Sequence, residues 1–564
     1  MTLDTPARDW RRPEPAEGES AARDAWQQGR VSLHLRIGIT GHRSIGTDDD
    51  TTVVDAVREA LDQIEERRRR GTTATLVDLA VVSSLAEGAD RLVAWQAMLR
   101  GASLEVVLPL PRDDYLTDFT SEESKAEFHT LLGQAAAVTE LAASGTREEA
   151  YERGGRAVVD RSDVVLALWD GRPARGRGGM AEIVSYARQQ RVPILRIATG
   201  RRGHGPPRPL SIDDHALPDA LGPLSDDGFH WLDRFNSTLL RSRSKANEPV
   251  LLPPELVKAA PPRAQQFVDY AQPYFHRAER IAGSSQRLFL RFTRLLYLLA
   301  ATAVVVVATQ IIFFGHNPGL VWVEVVALVA VVITLVLGRW KRWHDRWLAA
   351  RYLAERIRSG VFLAATGAGD GLRPVVASGR QLDAVELDSN REWAERAFHE
   401  IYWRASRSPV TELEVPALRK LLMDAWIDDQ IGYHKKASYR LAKRQRQLTW
   451  LAVALFGVSA FVALLHSMQL LEWHSAPDVW GYLSVVIPAI GAALSGYGAQ
   501  REYARLAERS RLMVSRLKEA RELVEDSKQL SSLQRATRST ELLMRSETAD
   551  WYDVVRLHDF EVPA

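Results

Sequence analysis

The chain changes its hydrophobic rhythm near Leu290. Ahead of that point short apolar runs alternate with mixed polar stretches, and beyond it apolar residues collect in four blocks of about twenty, the length needed to cross a bilayer's hydrocarbon core. In the front part the runs 33–40, 75–83, 104–108, 164–169 and 193–197 are rich in Val, Ile and Leu and are separated by helical patterns. Strands alternating with helices predict a parallel sheet flanked by helices. The expected fold is therefore an α/β Rossmann-like parallel-sheet domain, followed by an all-α membrane domain with four transmembrane helices and long cytosolic helices.

The blocks 295–315 and 320–340 are separated only by HNPG, whose proline and glycine end a helix and predict a tight hairpin. A second pair follows at 448–467 and 481–499. Arg287, Arg291 and Arg294 precede the first block, Arg339, Lys341, Arg342 and Arg346 follow the second, and Lys443, Arg444, Arg446, Arg501 and Arg505 flank the second pair. Neither hairpin turn carries Lys or Arg, so the positive-inside rule puts both turns outside and both termini in the cytoplasm, in a multi-pass protein of the inner membrane. Leu353-Ala354-Glu355-Arg356 recurs as Leu506-Ala507-Glu508-Arg509, an offset of 506 − 353 = 153 residues that also carries Leu295 onto Leu448. The hairpins thus read as a parallel duplication, each followed by an amphipathic stretch (343–363 and 500–523) expected to continue its span into the cytosol.

The domain plan that results is a flexible tail at 1–30, a nucleotide-binding domain at 31–245, a first membrane module at 246–365, an inter-repeat cytosolic segment at 366–425 and a second module at 426–564. Composition narrows the function. The 73 basic residues nearly balance 71 acidic ones for a formal charge of +2, which gives no global field for nucleic acid. Cysteine is absent, which removes disulfides, thiolate metal sites and a cysteine nucleophile, and no metal site is expected. The tail mixes Pro, Glu and Arg without an apolar core and does not read as a signal peptide.

In parallel sheets ligands bind beyond the carboxyl ends of the strands, so the residues that follow each strand are the candidates. After the first strand, Gly41 permits close approach of backbone to a phosphate and Arg43 is able to clamp it, with His42 between them. After the second, 83–90 (SSLAEGAD) places Ser84, Gly88 and free amides at a helix start suited to an anion; Asp90 is either part of the site or an acid in the first turn. After 164–169 come Asp170 and then Gly178 and Gly179, with Glu182 one turn into the next helix and able to bind a ribose hydroxyl. Within the membrane blocks, Glu324 is costly against lipid, and Pro488, Gly491 and Ser495 permit close helix packing, which makes these four the pore candidates.

These loops together resemble the SLOG family, the Rossmann-like group that includes LOG-type phosphoribohydrolases and the front domain of TRPM channels. The resemblance covers roughly 33–197 and rests on GITGHR, SSLAEGAD, VVLPLPRDDY, AYERGGRAVVDRSD and ALWDG followed by GRGGMAE. It implies binding of a nucleotide or an NAD- or ADP-ribose-derived signal by Gly41, Arg43, Ser84, Gly88, Gly178, Gly179 and Glu182, with Tyr151 and Asp170 at the edge and no cofactor required. Catalytic members carry PGGxGTxxE; this chain has neither that proline nor the Gly-Thr pair, and Met180 stands two residues before Glu182. The back half resembles SLATT-type two-helix membrane effectors, through the paired spans, WLAARYLAERIRSGVFLA and AWIDDQIGYHKKASYRLAKRQ. The resemblances imply a cytosolic nucleotide sensor coupled to an oligomeric effector that forms a pore or perturbs the bilayer in a bacterial anti-phage system. The alternative is a membrane-anchored nucleotide or NAD hydrolase, with Arg43 and Glu182 as its catalytic pair.

Overall fold

The computed structural model describes residues 24–43, 50–141, 146–171, 179–198, 209–211, 221–240, 248–315, 318–369, 389–405, 410–468 and 479–556. In chain order the front carries β1 (Leu33–Gly41), α1 (Asp50–Arg67), β2 (Val77–Ser83), α2 (Ala89–Met98), β3 (Ser103–Leu108), α3 (Arg112–Tyr115), α4 (Glu122–Gly133), β4 (Ala137–Glu140), α5 (Arg147–Asp160), β5 (Val164–Leu168), α6 (Met180–Gln189), β6 (Ile194–Ile197), β7 (Pro209–Ser211) and α7 (Asp226–Ser237). The helices that follow are α8 (Pro254–Ala259), α9 (Pro262–Thr309), α10 (Pro318–Lys341), α11 (Trp343–Thr366), α12 (Ser389–Arg404), α13 (Val415–Leu422), α14 (Asp428–Ser467), α15 (Val479–Gln500), α16 (Tyr503–Glu525) and α17 (Leu530–Arg556). The expected tail is described only from residue 24; residues 316–317 of the HNPG turn, the inter-repeat stretch 370–388 and the glycine loop 172–178 lie outside the described residues, while Pro318 and Gly319 open α10.

The sheet has seven strands in the order β4-β3-β2-β1-β5-β6-β7, parallel except for β7 at the edge. The order reverses between β1 and β5, and at such a switch point the neighbouring loops part and leave a crevice. Strand β4, only four residues with every second one buried, was not among the expected strands. Leu35, Ile37 and Ile39 of β1 face a core filled by Val57, Leu61 and Ile64 of α1, Val93 of α2 and Phe128 of α4. Opposite them Val165 and Ala167 of β5 meet Ile183 and Val184 of α6.

Two compact units divide the chain: 1–258 with 262–278 and 356–411, and 259–261 with 279–355 and 412–564. This division differs from the domain boundaries expected at 245, 365 and 425, because α12 is a structural part of the front unit. From Arg391 to Trp403 this helix is buried on every side, although it carries Arg391, Glu392, Glu395, Arg396, His399 and Glu400. A helix so charged enters a protein interior only if its charges find partners. Arg36 of β1 donates to Glu105 of β3 at 2.9 Å and to Glu400 at 2.6 Å. Arg396 reaches both oxygens of Asp163 at 2.9 Å, and His34 Nδ1 lies 2.9 Å from Glu400. Burial pushes the Glu400 carboxyl up, but Arg36 and Arg396 outweigh it and hold the group well below the usual carboxylate range. Glu395 pairs with Arg356 at 3.1 Å and Glu392 accepts from the Ser225 amide at 3.0 Å.

In the second unit the four expected spans fall within helices long and apolar enough to cross a membrane. Helix α9 has 48 residues, about 72 Å at 1.5 Å per residue, and carries the first span at its end. The stretches after the second and fourth spans are helical as expected, but they do not simply continue the spans. Each is set off by one residue in the left-handed conformation, Arg342 (φ 48°) before α11 and Glu502 (φ 48°) before α16, so the repeats share a bend as well as a sequence pattern. Helix α14 packs against α15 and α16, and α16 against α17.

Candidate functional site

Strand β1 delivers Gly41, His42 and Arg43 to the switch point. A Cβ on Gly41 would stand 2.1 Å from the Cβ of Ala89, so glycine there lets α2 start directly against the strand end. That gives Gly41 a packing role besides the phosphate approach expected of it. The amide of Ala89 donates to the His42 carbonyl at 3.2 Å, and Gly88, with φ 80°, presses so close to Arg43 that a Cβ would lie 2.3 Å from its carbonyl oxygen. The 83–90 loop and the β1 end are thereby one rigid edge.

Asp90 holds that loop from inside. Its buried carboxylate accepts from Ser83 Oγ at 3.2 Å and from the amides of Ser84 and Ala86. Burial pushes the carboxyl up to about 6 against these lowering hydrogen bonds. Of the two readings open for Asp90, the geometry favours a loop fastener over a ligand contact. Ser84 remains half-buried beside it. Arg91, whose role the sequence pattern did not suggest, donates to the Leu85 carbonyl at 3.1 Å and so supports the left-handed Leu85 (φ 56°).

Across the switch point, Asp170 follows β5 and its Oδ1 lies 3.4 Å from His42 Nε2. Gly179 caps α6 and Glu182 stands in that helix's first turn. Gly178 lies outside the described residues. On the other side of Arg43, the guanidinium sits 5.3 Å from the centre of the Tyr151 ring and 3.6 Å from Asp118 Oδ2. Tyr151 donates its hydroxyl to Asp118, and Arg147 reaches Asp118 at 2.6 Å and Asp114 at 2.8 Å. Tyr115 is buried beneath this group. Asp114, Tyr115, Asp118 and Arg147 were missing from the expected site, although the segment after β3 is itself a strand end and its PRDDY lies in the stretch that carries the family resemblance.

The membrane candidates do different things. Glu324 on α10 and Pro488 inside α15 are half-buried, whereas Ser495 is exposed. Gly491 is buried where α15 crosses α14, with Phe456 and Leu455 within 3.7 Å of the place a Cβ would take. Its small size is used for packing. Tyr297 of the first hairpin meets Tyr497 of the second edge-on at 6.0 Å, and Phe313 meets Tyr482 at 5.2 Å.

Comparison with known families bears on this second unit. Residues 273–362 match the family described as "SMODS and SLOG-associating 2TM effector domain 3", and residues 423–551 match "SMODS and SLOG-associating 2TM effector domain 1". No curated protein matches the chain. Both matched stretches lie behind the sheet, so the SLOG resemblance of the front rests on its own residues. Two SLATT effector domains are therefore found in one chain, one on each helical hairpin, and together with four apolar helices they mark a membrane-associated protein.

Proposed function

We propose that the front unit senses a nucleotide or an NAD- or ADP-ribose-derived molecule at the β1/β5 switch point, and that this ligand controls the two SLATT domains as a pore or bilayer-perturbing effector in a bacterial anti-phage system. The observation that carries the reading is the convergence of Arg43, the 83–90 loop and Asp170 with His42 where the strand order reverses. Amide donors at the start of α2 and a guanidinium suit phosphate, and the acids Asp170 and Glu182 suit ribose hydroxyls. A ligand acts on the helices only through unequal affinity for two arrangements of them. Both termini are assigned to the cytoplasm by the basic flanks of the spans, and conduction would need several copies around an axis, since four spans make only a packed bundle.

The test uses the full chain, because α12 completes the front unit and residues 31–245 would leave Arg36 without Glu400 and Asp163 without Arg396. Calorimetry with AMP, ADP, ADP-ribose and NAD should find a ligand whose binding Arg43→Ala weakens about 10- to 100-fold, the worth of a charge-assisted contact. Protein in liposomes should pass small ions only with that ligand, with an ion preference that Glu324→Gln alters. Turnover of the ligand, with liposomes as tight as empty ones, would instead establish the anchored hydrolase.

A further inference from the structure

The cluster around Arg43 contains a feature that the binding reading alone does not use. Asp118, the residue just before Phe119 at the end of the turn that follows α3, has a side chain only 10% exposed, and three donors converge on it. Arg147 donates through Nε at 2.9 Å and Nη2 at 2.6 Å, and the Tyr151 hydroxyl donates to the second oxygen. That same oxygen, Oδ2, lies 3.6 Å from Arg43 Nη2. Arg147 is further occupied by Asp114 at 2.8 Å and by the Asp114 carbonyl at 2.9 Å. Arg43 is placed differently: its side chain is 48% exposed, and its approach to Asp118 is longer than a hydrogen bond. The two arginines and two aspartates sum to zero charge. The guanidinium that faces the crevice is therefore backed by a fixed carboxylate, which an incoming anion must outcompete.

We propose that Asp118 is a specificity-determining residue that offsets the charge of Arg43 and so restricts the site to ligands carrying a diphosphate, at the expense of monophosphates and uncharged nucleosides. The inference rests on the reading of this crevice as a nucleotide site. A monophosphate, with a charge of about −1.5 to −2 on one phosphorus, meets in Arg43 a cation already half-neutralised, whereas a diphosphate brings more charge spread over two phosphoryl groups and binds Arg43 and the amides at the start of α2 together. Tyr151 and Arg147 keep the carboxylate aimed, so the offset is built into the fold rather than supplied by a mobile side chain.

Calorimetry on the full-length protein in detergent, with adenosine, AMP, ADP and pyrophosphate, tests it. Asp118→Asn keeps the shape and one oxygen to accept from Arg147, removes the charge, and turns the other position into an amide donor that the Tyr151 hydroxyl is able to accept from. AMP should then bind roughly 3- to 10-fold tighter, the size of one charge interaction at a partly exposed site, and the preference for ADP over AMP should narrow. Asp113→Asn, which removes an exposed acid of α3, should leave all affinities within about twofold. Should the Asn variant fail to fold, Asp118→Ser removes the same charge and reads the same sign. Weaker or unchanged binding of AMP by a folded Asp118 variant overturns the proposal and makes the carboxylate a direct acceptor of ligand hydroxyls or a purely structural group. If none of the probes binds either the parent or the variant, the nucleotide reading falls and this inference with it, a result distinct from a parent that binds while its variant gains nothing.

Discussion

Helices α12 and α16 are both held along their length by neighbours distant in sequence, yet the two seams are built from opposite materials. Around α12 the contacts that fix position are ionic: Arg396 on Asp163, Glu400 on Arg36 and His34, Glu395 on Arg356. Along α16 the buried residues are Tyr503, Ala507, Ser510, Met513, Leu517, Ala520 and Val524, spaced by threes and fours as in a coiled-coil stripe, with most charges left outside and half-buried Arg509 paired with Glu547. The difference is one of tolerance. An ion pair deep in a protein is compensated in one register only, since a shift by one turn strands every charge in a low-dielectric interior. An apolar stripe loses little when its knobs move to the next hole, which is how packed helices shift in switching proteins. The front unit is thus built to hold one arrangement, and the helices behind the spans are built to permit another. The sensor proposed above, attached to a responsive membrane element, would need that division.

The largest effect should come from breaking the ionic seam. Arg396→Ala leaves Asp163 and Glu400 buried with one partner fewer, and should cost about 3–5 kcal/mol of front-unit stability. Denaturant unfolding of the full chain in detergent, followed by the fluorescence of Trp393 and Trp403 beside the change, measures it; a loss under about 1 kcal/mol would mean that water reaches this helix. Conservative changes sharpen the contrast. Arg396→Lys should recover less than half of the loss, because an ammonium lacks the fork that bonds both Asp163 oxygens. In the other seam Leu517→Ala should cost about 2–4 kcal/mol, while Leu517→Met should stay under about 1.5 kcal/mol. If lysine were accepted as readily as methionine, the two seams would not differ in kind.

The same contrast explains what was legible in the sequence. Strands β1, β2, β3, β5 and β6 announce themselves as apolar runs, and the four spans do so more strongly, because period and length are local properties. Strand β4 offered four residues, AVTE, too few to show a period. Helix α12, SNREWAERAFHEIYWR, was hidden within the stretch 366–425 expected as an inter-repeat cytosolic segment, since the partners of its charges stand 233 to 366 positions away at Asp163, Arg36 and His34. Of the candidate site, the glycines and Arg43 were visible because they follow strands. Asp118 and Arg147 became visible only when the turn after α3 was seen against α5, and Asp90 proved to fasten the loop that it seemed equally able to serve as a ligand group.

Acid and base offer a third way to separate the units, with a smaller effect. The Asp90 carboxyl, raised to about 6 by burial, binds its proton more tightly in the folded than in the unfolded chain, where the ordinary value is 3.8. Its contribution is fully present below pH 3.8 and is lost as pH rises through 6, so at neutral pH the ionised group costs about 2–3 kcal/mol. Asp90→Asn should therefore raise the melting temperature at pH 7.5 and leave it little changed at pH 4. An equal shift at both pH values would show that the hydrogen bonds of this side chain, and not its charge, set the effect.

His434 on α14 titrates in the opposite sense. Burial, and then the nearby positive charge of Arg509, lower its ring to about 4, against a weaker raising influence from Glu355, so the folded chain holds it neutral. A depressed base contributes stability that is present above its unfolded value of 6.5 and is lost as pH falls towards 4, because the unfolded chain takes up the proton first. Discounted for the partial access of solvent, the loss should be about 1–2 kcal/mol. The ring also stands edge-on to Tyr433 at 5.1 Å, and among the described residues Nδ1 has no hydrogen-bond partner, so His434→Leu removes the titrating group without orphaning a partner of that nitrogen. Between pH 7 and pH 4.5 the melting temperature of the second unit should then fall less in the variant than in the parent, while the change at Asp90 acts on the first unit in the reverse direction. A parent and a His434→Leu variant that lose stability in parallel over this range would place the acid sensitivity on groups other than His434; Glu547, whose carboxyl burial raises despite Arg509 beside it, is not one of them. Glu547→Gln should act with the opposite sign to His434→Leu: a raised acid gains stability as pH falls whereas a depressed histidine loses it, so the melting temperature of this variant should fall more than that of the parent between pH 7 and pH 4.5.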